Sequence, residues 1–131
     1  MTTEHDPNPG SGRAAADIDT IDSALEALRR GEIIVVVDDE ERENEGDFIV
    51  AAEKVTPQVV NFIARYGRGL VCLAATGERL SQLDVHPMVT RNTAALGTRF
   101  TVSVDAAHGI STGISAADRA HTVQVLSLIH I

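Results

Sequence analysis

Ile21, Ala24, Leu25 and Leu28 recur at intervals of three and four, which places them on one face of a helix. Arg29-Arg30-Gly31 then provides a basic last turn and a glycine stop. Ile33-Ile34-Val35-Val36-Val37 is a continuous apolar, β-branched run of strand length and predicts a strand covered on both faces. A polar segment from Asp38 to Asp47 separates it from a second strand predicted over about 47–52. Thr56-Pro57 supplies an N-cap and first helical residue, opening a helix with Val59, Val60, Phe62 and Ile63 on its apolar side. Gly67 and Gly69 end that helix, and Leu70-Val71-Cys72-Leu73-Ala74 predicts a third buried strand. Thr76 to Leu83 reads as a short helix, and Asp84 to Leu96, with Pro87 and little periodicity, as a loop. Phe100, Val102 and Val104 alternate with Thr101 and Ser103, so Arg99 to Asp105 predicts a strand with one polar face. Ser115-Ala116-Ala117-Asp118 resembles a capping box with Asp in place of Glu and starts a helix through about Leu126. Together these elements predict an α/β domain: a mixed β-sheet with surrounding helices.

The ends of the chain read differently. Residues 1–16 are polar, rich in Pro, Gly and Thr, and predict a disordered leader, because they cannot bury enough surface to offset ordering entropy. Residues 17–126 form the folded portion. Residues 127–131 are mostly apolar and carry no helix stop, an ending that predicts a truncated reading frame.

The chain has 131 residues, enough for one core, and no apolar window long enough to span a bilayer. A net charge of −8 argues against nonspecific nucleic-acid binding, which depends on Lys and Arg displacing counterions. With aromatics at 3% and no Trp, stacking platforms for single strands are not expected either. The single Cys72 excludes an internal disulfide and a cysteine-built zinc site. A buried position in a strand makes Cys72 a small apolar filler in a pocket wall rather than a nucleophile. His86, His108 and His121 fall at no spacing that suggests joint ligation and are read as surface or structural residues. No signal peptide is visible, and a cytoplasmic protein without membrane or nucleic-acid partners is expected.

The charge is concentrated. Seven of the ten residues in Asp38-Asp39-Glu40-Glu41-Arg42-Glu43-Asn44-Glu45-Gly46-Asp47 are acids. An EF-hand loop starting at Glu41 would place Gly46 correctly at the sixth position. It fails because the twelfth is Ala52 rather than a bidentate Glu, and strands flank it rather than helices. Two readings remain open. One is a solvated, charged turn. The other is a site for a hard divalent cation together with a phosphorylated substrate, because magnesium prefers one or two protein carboxylates plus substrate oxygens and water. Spare carboxylates would then transfer protons, and Arg42 would offer a positive fork to a phosphate or polarised oxygen.

The acidic decapeptide resembles the signature of the 3,4-dihydroxy-2-butanone-4-phosphate synthases of riboflavin biosynthesis. The likeness continues through Ala52-Glu53-Lys54, Gly69-Leu70-Val71-Cys72, Asn92-Thr93-Ala94-Ala95-Leu96-Gly97-Thr98, Phe100-Thr101-Val102-Ser103-Val104 and Thr112-Gly113-Ile114-Ser115-Ala116-Ala117-Asp118-Arg119. It covers roughly residues 20–126, in order. It implies a lyase that converts D-ribulose 5-phosphate to formate and 3,4-dihydroxy-2-butanone 4-phosphate with Mg²⁺ or Mn²⁺, two ions per site, in a homodimer. By the same resemblance Glu43 is the metal-bridging carboxylate. Arg42, Glu43 and Asp47 match substrate-contacting positions. Asp38, Glu45 and Cys72 line the site, and Thr112 lies near the substrate. Loss of the C1 proton, loss of water and skeletal rearrangement each need a base or acid within reach, a role for Glu45 or Asp38. The rival function is a noncatalytic divalent-metal or metabolite-binding module.

The resemblance also defines a gap. The family's later Gly-His-Thr segment carries the second protein ligand to the metals, and this sequence has no equivalent. His121-Thr122 does not replace it, since it falls in a predicted helix. The chain is therefore expected to be an inactive portion of a synthase, with strands 33–37 and 70–74 lacking part of their cover and solubility reduced accordingly.

Overall fold

The computed structural model describes residues 18–127. The expectations for residues 1–16 and for 128–131 lie outside the described residues. Helix α1 (Ile21–Arg30) opens at Thr20, whose hydroxyl accepts the Ser23 N–H at 3.2 Å, and closes at Gly31 in the left-handed conformation, φ 82°. Strand β1 (Ile34–Val37) pairs antiparallel with β2 (Gly46–Ile49), with Ile34 opposite Ile49 and Val37 opposite Gly46. A 3₁₀ turn at Ala52–Lys54 follows, so the second strand stops short of the predicted residue 52.

Helix α2 (Pro57–Gly67) begins where Thr56-Pro57 predicts, with the Thr56 hydroxyl accepting the Val59 N–H at 3.2 Å. The short helix α3 (Gly77–Gln82) is capped in the same way by Thr76. Helix α4 (Ala116–Ser127) packs against α2 and the 3₁₀ turn. The core lies at this crossing: Val55, Val60 and Ala120 are buried, with Val50, Ala116 and Val123 packed around them. The Gln124 amide donates to the Val55 carbonyl at 2.8 Å and fastens α4 to the turn. The hairpin joins this core through Phe48, whose ring lies 5.6 Å from that of Phe62 on α2.

Two predicted strands do not form. Residues 70–74 have no regular secondary structure and no ladder partners among the described residues, and Leu70 is 84% exposed. Residues 99–105 make only one bridge, between Thr101 and Pro87. Both segments have strand-like patterns, but a strand exists only where a neighbour supplies its hydrogen bonds. Among the described residues none does so for 70–74, and 99–105 receive only the two bonds that flank the bridge, Met88 N–H to the Phe100 carbonyl and Val102 N–H to the His86 carbonyl. The helices and small sheet still place the chain in the α/β class. The sheet among the described residues is one antiparallel pair, and β1 is not covered on both faces: Val35, Val36 and Val37 are all exposed. No helix among the described residues is long and apolar enough to cross a membrane.

Candidate functional site

The acidic decapeptide is the loop of the β1–β2 hairpin, and Asp38 organises it. Asp38 donates its N–H to the Glu45 carbonyl at 3.3 Å, extending the ladder by one pair. Its Oδ1 accepts the Glu45 N–H at 3.0 Å, and its Oδ2 accepts the Glu43 N–H at 3.0 Å and Arg42 Nη1 at 2.7 Å. Asp39 makes the second, smaller knot. Its Oδ1 accepts the Glu41 N–H at 2.8 Å, and its carbonyl accepts the N–H groups of Arg42 and Asn44. Asn44 takes the left-handed conformation, φ 52°, which an Asn tolerates better than most side chains and which turns the chain back into β2.

This arrangement sorts the seven acids. Arg42 Nη1 bridges Asp38 and the Glu43 carboxylate, the latter at 3.0 Å, so these two charges share one guanidinium. Glu45 and Asp47 are exposed, and their carboxylates have no hydrogen-bond or ion-pair partner among the described residues. Asp47 sits opposite Val36, and the two-residue period of the strand carries Glu45 to the same face. Hydrogen bonds from the Glu45 N–H, then from the Glu43 N–H and Arg42, hold the Asp38 carboxyl below the usual carboxylate range. The same carboxylate, with Glu43, raises the Arg42 guanidinium.

The other candidates lie elsewhere in the chain. Cys72 is free and exposed in the irregular 70–74 segment, which corrects its reading as a buried strand filler: among the described residues no sheet forms there to cover it. Thr112 is exposed in the loop that precedes α4. No hydrogen bond or ion pair joins either residue to the acidic loop among the described residues. Two cavities, of about 150 and 420 Å³, are lined by other side chains, and neither includes Cys72 or the acidic loop. His121, on α4, contacts the His108 carbonyl at 3.0 Å, and His86 contacts Asp84 at 3.2 Å, in keeping with structural and surface roles.

Sequence reasoning missed one polar group, Asp118. It is 7% exposed, and its Oδ2 accepts the Ser111 hydroxyl at 2.7 Å and the Gly113 N–H at 3.1 Å, the residues on either side of Thr112. Its N–H donates to Ser115 Oγ at 3.0 Å, so half of the predicted capping box is present. The carboxylate turns to the preceding loop instead of completing the box. The Ser111 hydroxyl first, then the loop N–H groups, lower its pKa. An Asp where a capping box usually carries Glu was the available signal.

The sequence model described as 3,4-dihydroxy-2-butanone 4-phosphate synthase matches residues 22–128. The chain is 58% identical over 106 residues to the 3,4-dihydroxy-2-butanone 4-phosphate synthase of Agrobacterium fabrum, covering 81% of this chain and 50% of that protein. It is 54% identical over 117 residues to the riboflavin biosynthesis protein RibBA of Aquifex aeolicus, covering 88% of this chain and 29% of that protein. A crystal structure of 3,4-dihydroxy-2-butanone 4-phosphate synthase in complex with two magnesium ions superposes with a TM-score of 0.82 at 46% identity, over 86% of this chain and 52% of that one. The chain thus spans about half, or less, of the length of these relatives. It belongs to the 3,4-dihydroxy-2-butanone 4-phosphate synthase family.

Proposed function

We propose that this chain carries the acidic-loop part of a lyase site that takes D-ribulose 5-phosphate to 3,4-dihydroxy-2-butanone 4-phosphate and formate, in the cytoplasm and within a homodimer. The observation that carries this reading is the Asp38-centred loop, which holds Arg42 and Glu43 in fixed register beside the unpartnered carboxylates of Glu45 and Asp47.

The donor chemistry fits a hard divalent cation, Mg²⁺ or Mn²⁺. Among the described residues no three His, Cys, Asp or Glu side chains converge to hold one. Magnesium does not need such a cage, because one or two carboxylates plus substrate oxygens and water suffice. Glu43 is the proposed ligand, and two ions per site remain part of the proposal. When bound, the metal supplies Lewis-acid stabilisation of charge on the vicinal oxygens of the sugar.

The chain's own residues do the rest. Arg42 is half exposed, so guanidinium N–H groups not given to Asp38 and Glu43 are available to substrate oxygens. Asp47 accepts from sugar hydroxyls, and Cys72 and Thr112 are proposed as further substrate contacts. Of the two candidates for taking the C1 proton, geometry favours Glu45. Both oxygens of Asp38 are already engaged, and a carboxylate held ionised by its neighbours is a weaker base.

The test is a Mg²⁺ titration of the full chain with and without ribulose 5-phosphate. Metal affinity that rises with the sugar phosphate, and is lost in Glu43→Gln, supports the lyase site. Metal affinity indifferent to the sugar phosphate instead assigns the loop to a noncatalytic binding module.

A further inference from the structure

Helix α4 presents Asp118, His121 and Thr122 at spacings of three and four, on one face. All three grip the loop that precedes the helix. The Thr122 hydroxyl accepts the Ala106 N–H at 3.1 Å in a buried contact. His121 Nε2 meets the His108 carbonyl at 3.0 Å. Asp118 Oδ2 holds Ser111 and Gly113. Gly113 is itself buried, with φ +81°, and a Cβ there would collide with the Asp105 carboxylate. Thr112 is thus an exposed residue in a loop anchored on both sides of it.

We propose that Asp118 is a positioning residue that acts through Ser111 and Gly113 to fix the Thr112 hydroxyl for contact with the sugar phosphate, an inference that rests on the lyase reading above. An aspartate needed only for the helix N-terminus would be served by its N–H bond to Ser115 and by its charge near the helix dipole. Neither requires a carboxylate oxygen shared between the two neighbours of Thr112. The depressed pKa of Asp118 is consistent with that engagement. Asp118 touches no reacting atom in this scheme. It determines where another side chain stands.

The experiment is a double-mutant cycle on the full chain, reading ribulose 5-phosphate affinity at saturating Mg²⁺ by calorimetry. Asp118→Asn leaves an amide facing donors and risks the fold, so the deciding variant is Ser111→Ala. It removes one hydroxyl and spares the α4 cap. Ser111→Ala is expected to weaken binding about tenfold, the worth of one good hydrogen bond. In a Thr112→Val background the same change should alter affinity by less than about twofold, because the hydroxyl it positions is already gone. Equal weakening in both backgrounds, or none in the wild-type background, overturns the proposal. A wild-type chain that binds no sugar phosphate overturns the lyase reading, and this inference falls with it. A wild-type chain that binds without coupling sinks this inference alone.

Discussion

Val60→Ala should be the most damaging small truncation on α2. Val60 is 1% exposed, sits at the α2–α4 crossing against Val55 and Ala120, and is the largest fully buried side chain among the described residues. Removing two methyl groups forfeits about 1.6 kcal/mol of transfer free energy at ~0.8 per methylene equivalent. The space left adds up to roughly 1 kcal/mol if neighbours stay in place. Val60 already borders a cavity of about 150 Å³, so its methyls lack some partners, and the total should fall near the lower end, about 2 kcal/mol. Domains are stable by roughly 5–15 kcal/mol, and here only Val55, Val60, Ala106 and Ala120 form the buried apolar set among the described residues, so this is a large share. Urea melts followed by far-UV circular dichroism suit a chain without Trp. The control is Val35→Thr on β1, where 60% exposure and a β-tolerant substitute should keep the change within about 0.5 kcal/mol. A Val60→Ala loss below about 0.5 kcal/mol at unchanged denaturant slope, or one matched by Val35→Thr, would refute the claim that the α2–α4 crossing holds the fold.

Gly113→Ala should destabilise by at least ~1–2 kcal/mol from its left-handed backbone alone, before the collision with Asp105. Gly77→Ala, at the start of α3 with nothing within 4 Å of the added Cβ, should be neutral or stabilising in the same urea melts. For acid, the sign follows from the lowered pKa of Asp38: between its native value and the ordinary value of about 3.9 the unfolded chain binds more protons, so the Asp38 contribution rises with pH there. That contribution is complete above about pH 5 and is lost as pH falls through the native value. The quantity to measure is the stability difference between wild type and Asp38→Asn, which isolates this one group. It should shrink on acidification, and a difference that is level with pH would show that the Asp38 hydrogen bonds do not favour its ionised form.

Local signals in this chain were legible, and non-local ones were not. Thr56-Pro57, Thr76 and Ser115 each cap a helix within reach of their own neighbours, so sequence spacing suffices to place α2, α3 and α4. The β1–β2 hairpin is equally local. Leu70–Ala74 and Arg99–Asp105 show what pattern omits: apolar runs and alternation describe a surface that suits a sheet, while pairing depends on residues far along the chain. The exposure of Cys72 follows from that same missing partner. The acidic motif marks a candidate site by composition, yet composition treats its seven acids alike. Which carboxylate ties the loop depends on backbone geometry, above all the left-handed turn at Asn44.

Both loops that carry candidate residues share one construction. In the hairpin, Asp38 turns its oxygens inward onto two N–H groups and a guanidinium. Before α4, Asp118 turns one oxygen onto a hydroxyl and an N–H. In each case an aspartate committed to the frame leaves other polar groups exposed: Glu45 and Asp47 in the first loop, Thr112 in the second. Loops are otherwise poor platforms for chemistry, since each unfixed side chain must be ordered when ligand arrives. A carboxylate held ionised by hydrogen bonds from its own loop removes part of that ordering beforehand. The number of acids in the signature is therefore a poor guide to the number that touch substrate. Among the Asp38–Asp47 acids at least one, Asp38, serves the frame, while Glu45 and Asp47 are left unbonded.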